Sequence, residues 1–218
     1  GCADIGTGIQ HISDLKKLEH LNIAHCPLVS DADVALLLQQ LPNLEELLLD
    51  GCTAVTGLSW SAMPPRGLKR LQLRNSGQFR GWGALRMAGS SLRNLEADVG
   101  PQCSNDDLSS LGSLCHLETL ALFAHSASFD GGHDRITDEV VVEHISKLTK
   151  LRRVQLLGFI RITDVGVVSL GKALVSLEFL AFSGCGTSDD AARSILKYLP
   201  TLRQVSAQVL SARKKKVS

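Results

Sequence analysis

The sequence predicts an α/β solenoid: a horseshoe with one short parallel strand per repeat on its concave face and helices or loops on its convex face. Three observations predict it. First, a phrase of the form Leu-x-x-Leu-x-Leu recurs along the chain. It reads Leu18-x-x-Leu21-x-Ile23, Leu44-x-x-Leu47-x-Leu49, Leu68-x-x-Leu71-x-Leu73, Leu92-x-x-Leu95-x-Ala97 and Leu117-x-x-Leu120-x-Leu122. It continues as Leu151-x-x-Val154-x-Leu156, Leu177-x-x-Leu180-x-Phe182 and Leu202-x-x-Val205-x-Ala207. The steps between first leucines are 26, 24, 24, 25, 34, 26 and 25 residues, and self-similarity at such a period marks stacked repeats. Second, apolar residues within each phrase alternate with period two, as in a strand whose leucines point inward. Third, the period changes between phrases: over 162–174 apolar residues recur every three or four positions, as on one face of a helix.

The convex elements follow from local signals. Ser30-Asp31, Thr137-Asp138, Thr163-Asp164 and Ser188-Asp189 are helix starts, because a hydroxyl there accepts a free N–H of the first turn. Helices are therefore expected over 32–41, 138–147, 164–173 and 188–198. Val34, Trp82, Val141, Val167 and Ala192 share one offset from the next first leucine, which makes Trp82 a core residue rather than a ligand-stacking one. Two return halves are weak. Pro64-Pro65 would remove a helical bond and clash with the preceding turn, and Gly77, Gly81, Gly83 and Gly89 dilute the next repeat. Stretches 60–65 and 81–89 are expected to be irregular or nearly so, a loop or a single helical turn. The long step holds an insertion, 126–134, whose Gly-Gly and polar residues mark a protruding loop. Arg213 to Lys216 reads as a solvated tail.

Composition bounds the rest. A hydrophobic fraction of 44% suffices for a continuous core, and a net charge of +1 gives no global bias toward nucleic acid. No run of about 18 apolar residues is present, and the first residues lack a signal-peptide profile. Gly1-Cys2 matches Gly51-Cys52 and Gly184-Cys185, so the chain reads as starting part-way through a repeat. Residues 1–218 are expected to form a single array of about eight repeats, the first one partial, from a longer protein. Cys26, Cys52 and Cys185 lie eight residues after a first leucine, and Cys2 fits the same slot. There a small group with a weak S–H donor can turn inward and meet free backbone carbonyls. Ser76, Gly100, His125 and Phe159 occupy the slot elsewhere, so a disulfide ladder is not implied. Free thiols in a reducing, intracellular compartment are expected.

Leu151 to Val167, read as Leu-Arg-Arg-Val-Gln-Leu-Leu-Gly-Phe-Ile-Arg-Ile-Thr-Asp-Val-Gly-Val, resembles the cysteine-containing class of leucine-rich repeats, with Phe159 in the usual Cys position. Leu44 to Cys52 and Leu177 to Cys185 supply that Cys, and Ile136-Thr137-Asp138 repeats the Ile-Thr-Asp. This class is best known from F-box proteins, whose repeat horseshoe binds substrates for a cullin-type ubiquitin ligase. The resemblance covers nearly the whole chain and no F-box is present in it. It implies a ubiquitin-ligase substrate receptor, or alternatively a constitutive structural subunit of a large assembly.

No nucleophile–base arrangement, P-loop or dinucleotide fingerprint accompanies the repeats. Asp106-Asp107 and Asp189-Asp190 sit at helix starts, where carboxylates favour the positive end of the dipole. Asp130, His133 and Asp134 read as a solvated loop, and the histidines lack metal-ligand spacing. The expectation is a protein without enzymatic activity, cofactor, metal or small-molecule substrate, acting on protein partners. Nucleic acid is disfavoured, because the one basic cluster is the terminal Lys run and no aromatics interleave it. The residues between the strand leucines point onto the concave face. They are Asn22, Glu46, Leu48, Asp50, Arg70, Gln72, Arg74, Asn94, Glu96, Asp98, Phe123, Arg153, Gln155, Leu157, Phe179 and Ser183. Glu46 with Arg70, and Arg70 near Asn94, are expected to neutralise one another. Phe123, Leu157 and Phe179 are expected to form an exposed apolar patch contacted by a protein partner, by the C-terminal tail from Val209 to Ser218, or by an upstream segment.

Overall fold

A computed structural model describes residues 5, 8–61, 67–124, 134–199 and 201–206. Eight strands form one parallel sheet in chain order: β1 (His20–Asn22), β2 (Glu46–Leu48), β3 (Arg70–Leu73), β4 (Asn94–Val99), β5 (Thr119–Ala124), β6 (Arg153–Leu157), β7 (Phe179–Ala181) and β8 (Gln204–Ser206). Each strand pairs with its sequence neighbours, with the repeat positions in register. The second leucines therefore stack as a column: Leu21, Leu47, Leu71, Leu95, Leu120, Val154, Leu180 and Val205. All but Val205 are buried. Burying one such side chain stabilises by about 1.5–3 kcal/mol, and each contributes only against its neighbours, as a stacked array requires.

The return halves carry α1 (Gly8–Ser13), α2 (Asp31–Gln40), α3 (Asn105–Leu108), α4 (Asp138–Glu143), α5 (Asp164–Ala173) and α6 (Asp189–Leu196), with 3₁₀ turns at Leu58–Ser61, Gly81–Ala88, Ser109–Ser113 and Ile145–Lys147. The four expected helices are found, with one change. The helix expected over 138–147 stops at Glu143, and the chain resumes as a 3₁₀ turn after His144. Tightening at a helix C-terminus satisfies the last carbonyls with shorter bonds.

The expectation of irregular chain over 81–89 is corrected. Gly81–Ala88 is a 3₁₀ helix of 8 residues. Trp82, Leu85 and Ala88 recur every three residues and are all buried, which is the period of a 3₁₀ helix rather than an α-helix. The glycines serve close approach instead of disorder. A Cβ on Gly81 would lie 2.6 Å from the Gly57 carbonyl oxygen, so the two shortest repeats touch backbone to backbone. The space that longer helices fill elsewhere is taken by Trp60, Phe79 and Trp82, stacked edge-to-face with centroids 5.3 and 5.2 Å apart. Trp82 is core, as its offset predicts. Pro64-Pro65, most of the insertion 126–134, Cys2 and the Lys tail lie outside the described residues.

Candidate functional site

Three ladders hold the sheet and fix what its open face presents. The first is the turn slot. Cys52 donates its S–H to the Ile23 carbonyl at 3.2 Å, and Cys185 donates to Leu156 at 3.3 Å. Ser76 makes the same contact with Leu49 at 3.3 Å. Each donor serves the last inward residue of the preceding phrase, a carbonyl beyond the sheet ladder. Cys26 turns to Ala24 in its own repeat at 3.7 Å. None of the five described cysteines is in a disulfide, and only Cys115 of them is exposed. Burial pushes the Cys185 thiol up to about 11 and that of Cys103, with the Asp107 charge beside it, up to about 12. Burial also raises Cys52. The residue before the slot has positive φ at His25, Gly51, Asn75, Gly158 and Gly184. That left-handed turn suits glycine and tolerates Asn and His, and it explains the recurring Gly-Cys pair.

The helix caps read from the sequence are found, with Ser30, Thr137 and Thr163 accepting N–H groups of their own first turns, and the residue after each cap builds a second ladder that the sequence did not show. Asp138 accepts the Thr163 N–H at 2.8 Å on Oδ1 and the Thr163 hydroxyl at 2.6 Å on Oδ2. Asp164 does the same for Ser188 at 2.7 and 2.5 Å. Asp31 accepts the Thr56 N–H at 2.9 Å and also its hydroxyl, and Asn105 accepts the Thr137 N–H at 3.0 Å. Each side chain thus ties its own helix start to that of the next repeat. A carboxylate accepting such bonds is roughly twice as strongly held as a neutral acceptor. The third ladder was not anticipated. The residue after each first leucine is charged throughout, and three ion pairs cross repeats along this lip. They are Lys69–Glu45 at 2.6 Å, Arg93–Glu118 at 3.1 Å and Arg152–Glu178 at 2.8 Å. The sequence signal was one charged residue at the same place in eight phrases.

The register brings the residues predicted for the concave face onto the sheet face opposite the helices, in three rows. Across the first row run His20, Glu46, Arg70, Asn94, Thr119, Arg153 and Phe179. The second holds Asn22, Leu48, Gln72, Glu96, Ala121, Gln155 and Ala181. At the strand ends Asp98, Phe123 and Leu157 are adjacent, with Asp50 and Arg74 on the two strands before them. Ser183 follows β7 and is half-buried.

Two expectations about this face are corrected. Glu46 pairs with His20 at 3.2 Å and Arg70 with Glu96 at 3.7 Å, while Gln72 donates to the same Glu96 at 2.8 Å. His20 and Glu46 are directly opposed, whereas Arg70 reaches diagonally to Glu96 past Asn94, its opposite residue. The apolar residues are not bare either. Arg74 lies over the Phe123 ring at 4.3 Å and Arg153 over Phe179 at 4.9 Å, leaving both rings and Leu157 half-buried. Guanidinium over a ring face is attracted by the quadrupole. Asp98 is 6% exposed and accepts the Asn75 N–H at 2.8 Å, and Asp50 accepts the Arg74 N–H at 2.8 Å, so both brace turns.

Off this face, a cavity of about 370 Å³ lies between successive strand-end loops, lined by Phe79, Trp82, Gly100 and Cys103 among others. Among the described residues no group of His, Cys, Asp and Glu side chains could hold a metal ion, and no helix is long and apolar enough to cross a membrane.

No family model matches the chain, and no curated protein matches it in sequence. Solved structures do. The chain is similar to Rad7 of yeast, solved as a complex with Elc1, at 17% identity and a TM-score of 0.57. The match covers 93% of this chain and 59% of the Rad7 chain. A protein from Bacteroides fragilis matches with 18% identity and a TM-score of 0.46, over 93% of this chain and 69% of that one. At 17% identity the likeness to Rad7 is one of fold.

Proposed function

We propose that this protein is a non-enzymatic scaffold that binds a protein partner through the open face of its sheet. The observations that carry this reading are the half-buried Phe123 and Leu157, side by side at the strand ends where earlier repeats carry Asp50, Arg74 and Asp98, and the half-buried Phe179 at the opposite end of the strands, where earlier repeats carry Glu46 and Arg70. Apolar side chains on a rigid sheet, rimmed by polar residues, usually mark a contact surface. The likeness to Rad7 supports the class, since Rad7 was solved bound to another protein. The finer reading, a substrate receptor of an F-box-type ubiquitin ligase, rests on the cysteine-containing repeats. The reading takes residues 1–218 as one array, and its free buried thiols suit a reducing compartment.

The test is affinity purification of the full-length protein with Phe123→Ser/Phe179→Ser against the unaltered chain. Loss of the partner with unchanged thermal midpoint is the expected result, and co-purification of cullin-ligase subunits would carry the finer reading. A second reading, a constitutive subunit of an assembly, is favoured by the exposed convex residues Leu58, Val165 and Val175. It predicts that Val165→Ser/Val175→Ser abolishes association while the phenylalanine double variant retains it.

A further inference from the structure

The open face is electrostatically divided, and the division points to a class of partner. Across β1 to β4 every carboxylate has a partner: Glu46 lies 3.2 Å from His20, Glu96 pairs with Arg70, and Asp50 and Asp98 accept backbone N–H groups. From β5 to β8 the outward positions carry one charged side chain, Arg153, and no carboxylate. The nearest acids, Glu118 and Glu178 on the lip, are already paired with Arg93 and Arg152. Arg153 is exposed, lies over Phe179, and forms no ion pair or hydrogen bond through its guanidinium among the described residues. Arg74, at the other corner, is held over Phe123 in the same way. Between the two stacks, Ala121 and Ala181 are buried, so the floor is low where the corners are high.

A guanidinium stacked on a ring keeps its in-plane N–H donors free while losing rotamer freedom. That is the arrangement in which it takes a carboxylate with two parallel bonds. Apolar walls beside it reward an aliphatic or aromatic side chain. We propose that the β5–β8 half of the open face recognises an extended protein segment that alternates acidic and apolar side chains. A carboxylate would sit on Arg153, and an apolar side chain against Phe123 and Leu157. This rests on the scaffold reading above and adds to it the chemistry of the partner. The chain's own C-terminal segment, with Arg213 and Lys214 to Lys216, carries the wrong charge for Arg153.

The test selects a random 12-residue peptide display library on the full 218-residue chain. The chain bears Lys214→Ser/Lys215→Ser/Lys216→Ser, to remove non-specific attraction of acids to the tail. Selected peptides are expected to be enriched in Asp or Glu beside Leu, Ile or Phe. Fluorescence anisotropy should show affinity falling at least about tenfold on Arg153→Glu. The fall should be smaller on Arg153→Lys, with an unchanged thermal midpoint in both. Basic or uncharged consensus sequences, or no enrichment over bare resin, would overturn the proposal. Peptides whose binding depends on Arg70 and Glu96 but not on Arg153 would also overturn it while leaving the scaffold reading intact. Peptides insensitive to every open-face substitution would remove both.

Discussion

Asp138 grips Thr163 of the following repeat with both carboxylate oxygens, one on the backbone N–H at 2.8 Å and one on the hydroxyl at 2.6 Å. The Gly166 N–H shares the first oxygen at 3.0 Å. Equivalent ties join Asp31 to Thr56 and Asp164 to Ser188. The helices therefore do more than cover the sheet: their first residues transmit register from one repeat to the next.

Replacing Asp138 with Ala leaves three donors without their acceptor. The expected loss is about 1–3 kcal/mol, read from the urea midpoint at constant slope. Asp189 holds the same position in α6, the last helix among the described residues, and is exposed. Asp189→Ala should change stability by no more than about 0.5 kcal/mol. Equal losses in the two variants would mean that the carboxylates act on their own helices and not across repeats.

The buried thiols should be chemically silent. Cys26, Cys52, Cys103 and Cys185 are buried and Cys115 is exposed. In a Cys2→Ser background, iodoacetamide at neutral pH should modify Cys115 quickly and the other four only on unfolding. Mass spectrometry after limited labelling gives the count. Fast modification of Cys52 or Cys185 in the folded chain would show that the slot donors are not held against their carbonyls.

Those thiols also set a pH dependence. Folded Cys185 and Cys103 ionise near 11 and 12, against about 8.5 for a free thiol. A pKa raised on folding means the folded state holds its proton more tightly. This contribution is fully present below about pH 8.5 and is lost as pH climbs toward 11–12. The urea midpoint should fall over that window, and the fall should be shallower in Cys103→Ala/Cys185→Ala. Parallel falls in both proteins would assign the effect to other groups.

Gly81 and Gly83 separate close approach from flexibility. A Cβ at Gly81 meets backbone at 2.6 Å, whereas at Gly83 it meets nothing within 4 Å. Gly81→Ala should cost about 1–3 kcal/mol, the range for overpacking. Gly83→Ala should be neutral or stabilise by up to about 1 kcal/mol through the unfolded chain. Thermal midpoints decide it, and tolerance of Gly81→Ala would place the two short repeats further apart than described.

The strands and core were legible because three inward apolar positions, the first always leucine, repeat eight times in one register. So was the slot, since Cys at a fixed distance from Leu44 and Leu177 can serve only one backbone geometry. The 3₁₀ helix over Gly81–Ala88 was missed because its glycines were weighed as helix breakers. Trp82, Leu85 and Ala88, three apart, held the signal. The tie from Asp138 to Thr163 was hidden because its partners lie 25 residues apart, while capping is a signal between neighbours. On the open face the sequence placed Phe123 and Phe179 on one surface. It could not show Arg74 laid across Phe123, since side-chain reach over two strands is not written in spacing, whereas Arg153 beside Phe179 follows from the register.

Whether that face holds a protein partner is tested most directly by site-specific photo-crosslinking in cells. A benzophenone amino acid would replace Phe179 on the open face or Val165, 66% exposed on the convex side. The prediction is crosslinking to a discrete protein from position 179 and not from 165, with both variants retaining the thermal midpoint of the parent chain. Crosslinks from position 165 alone, or from neither, would contradict the account.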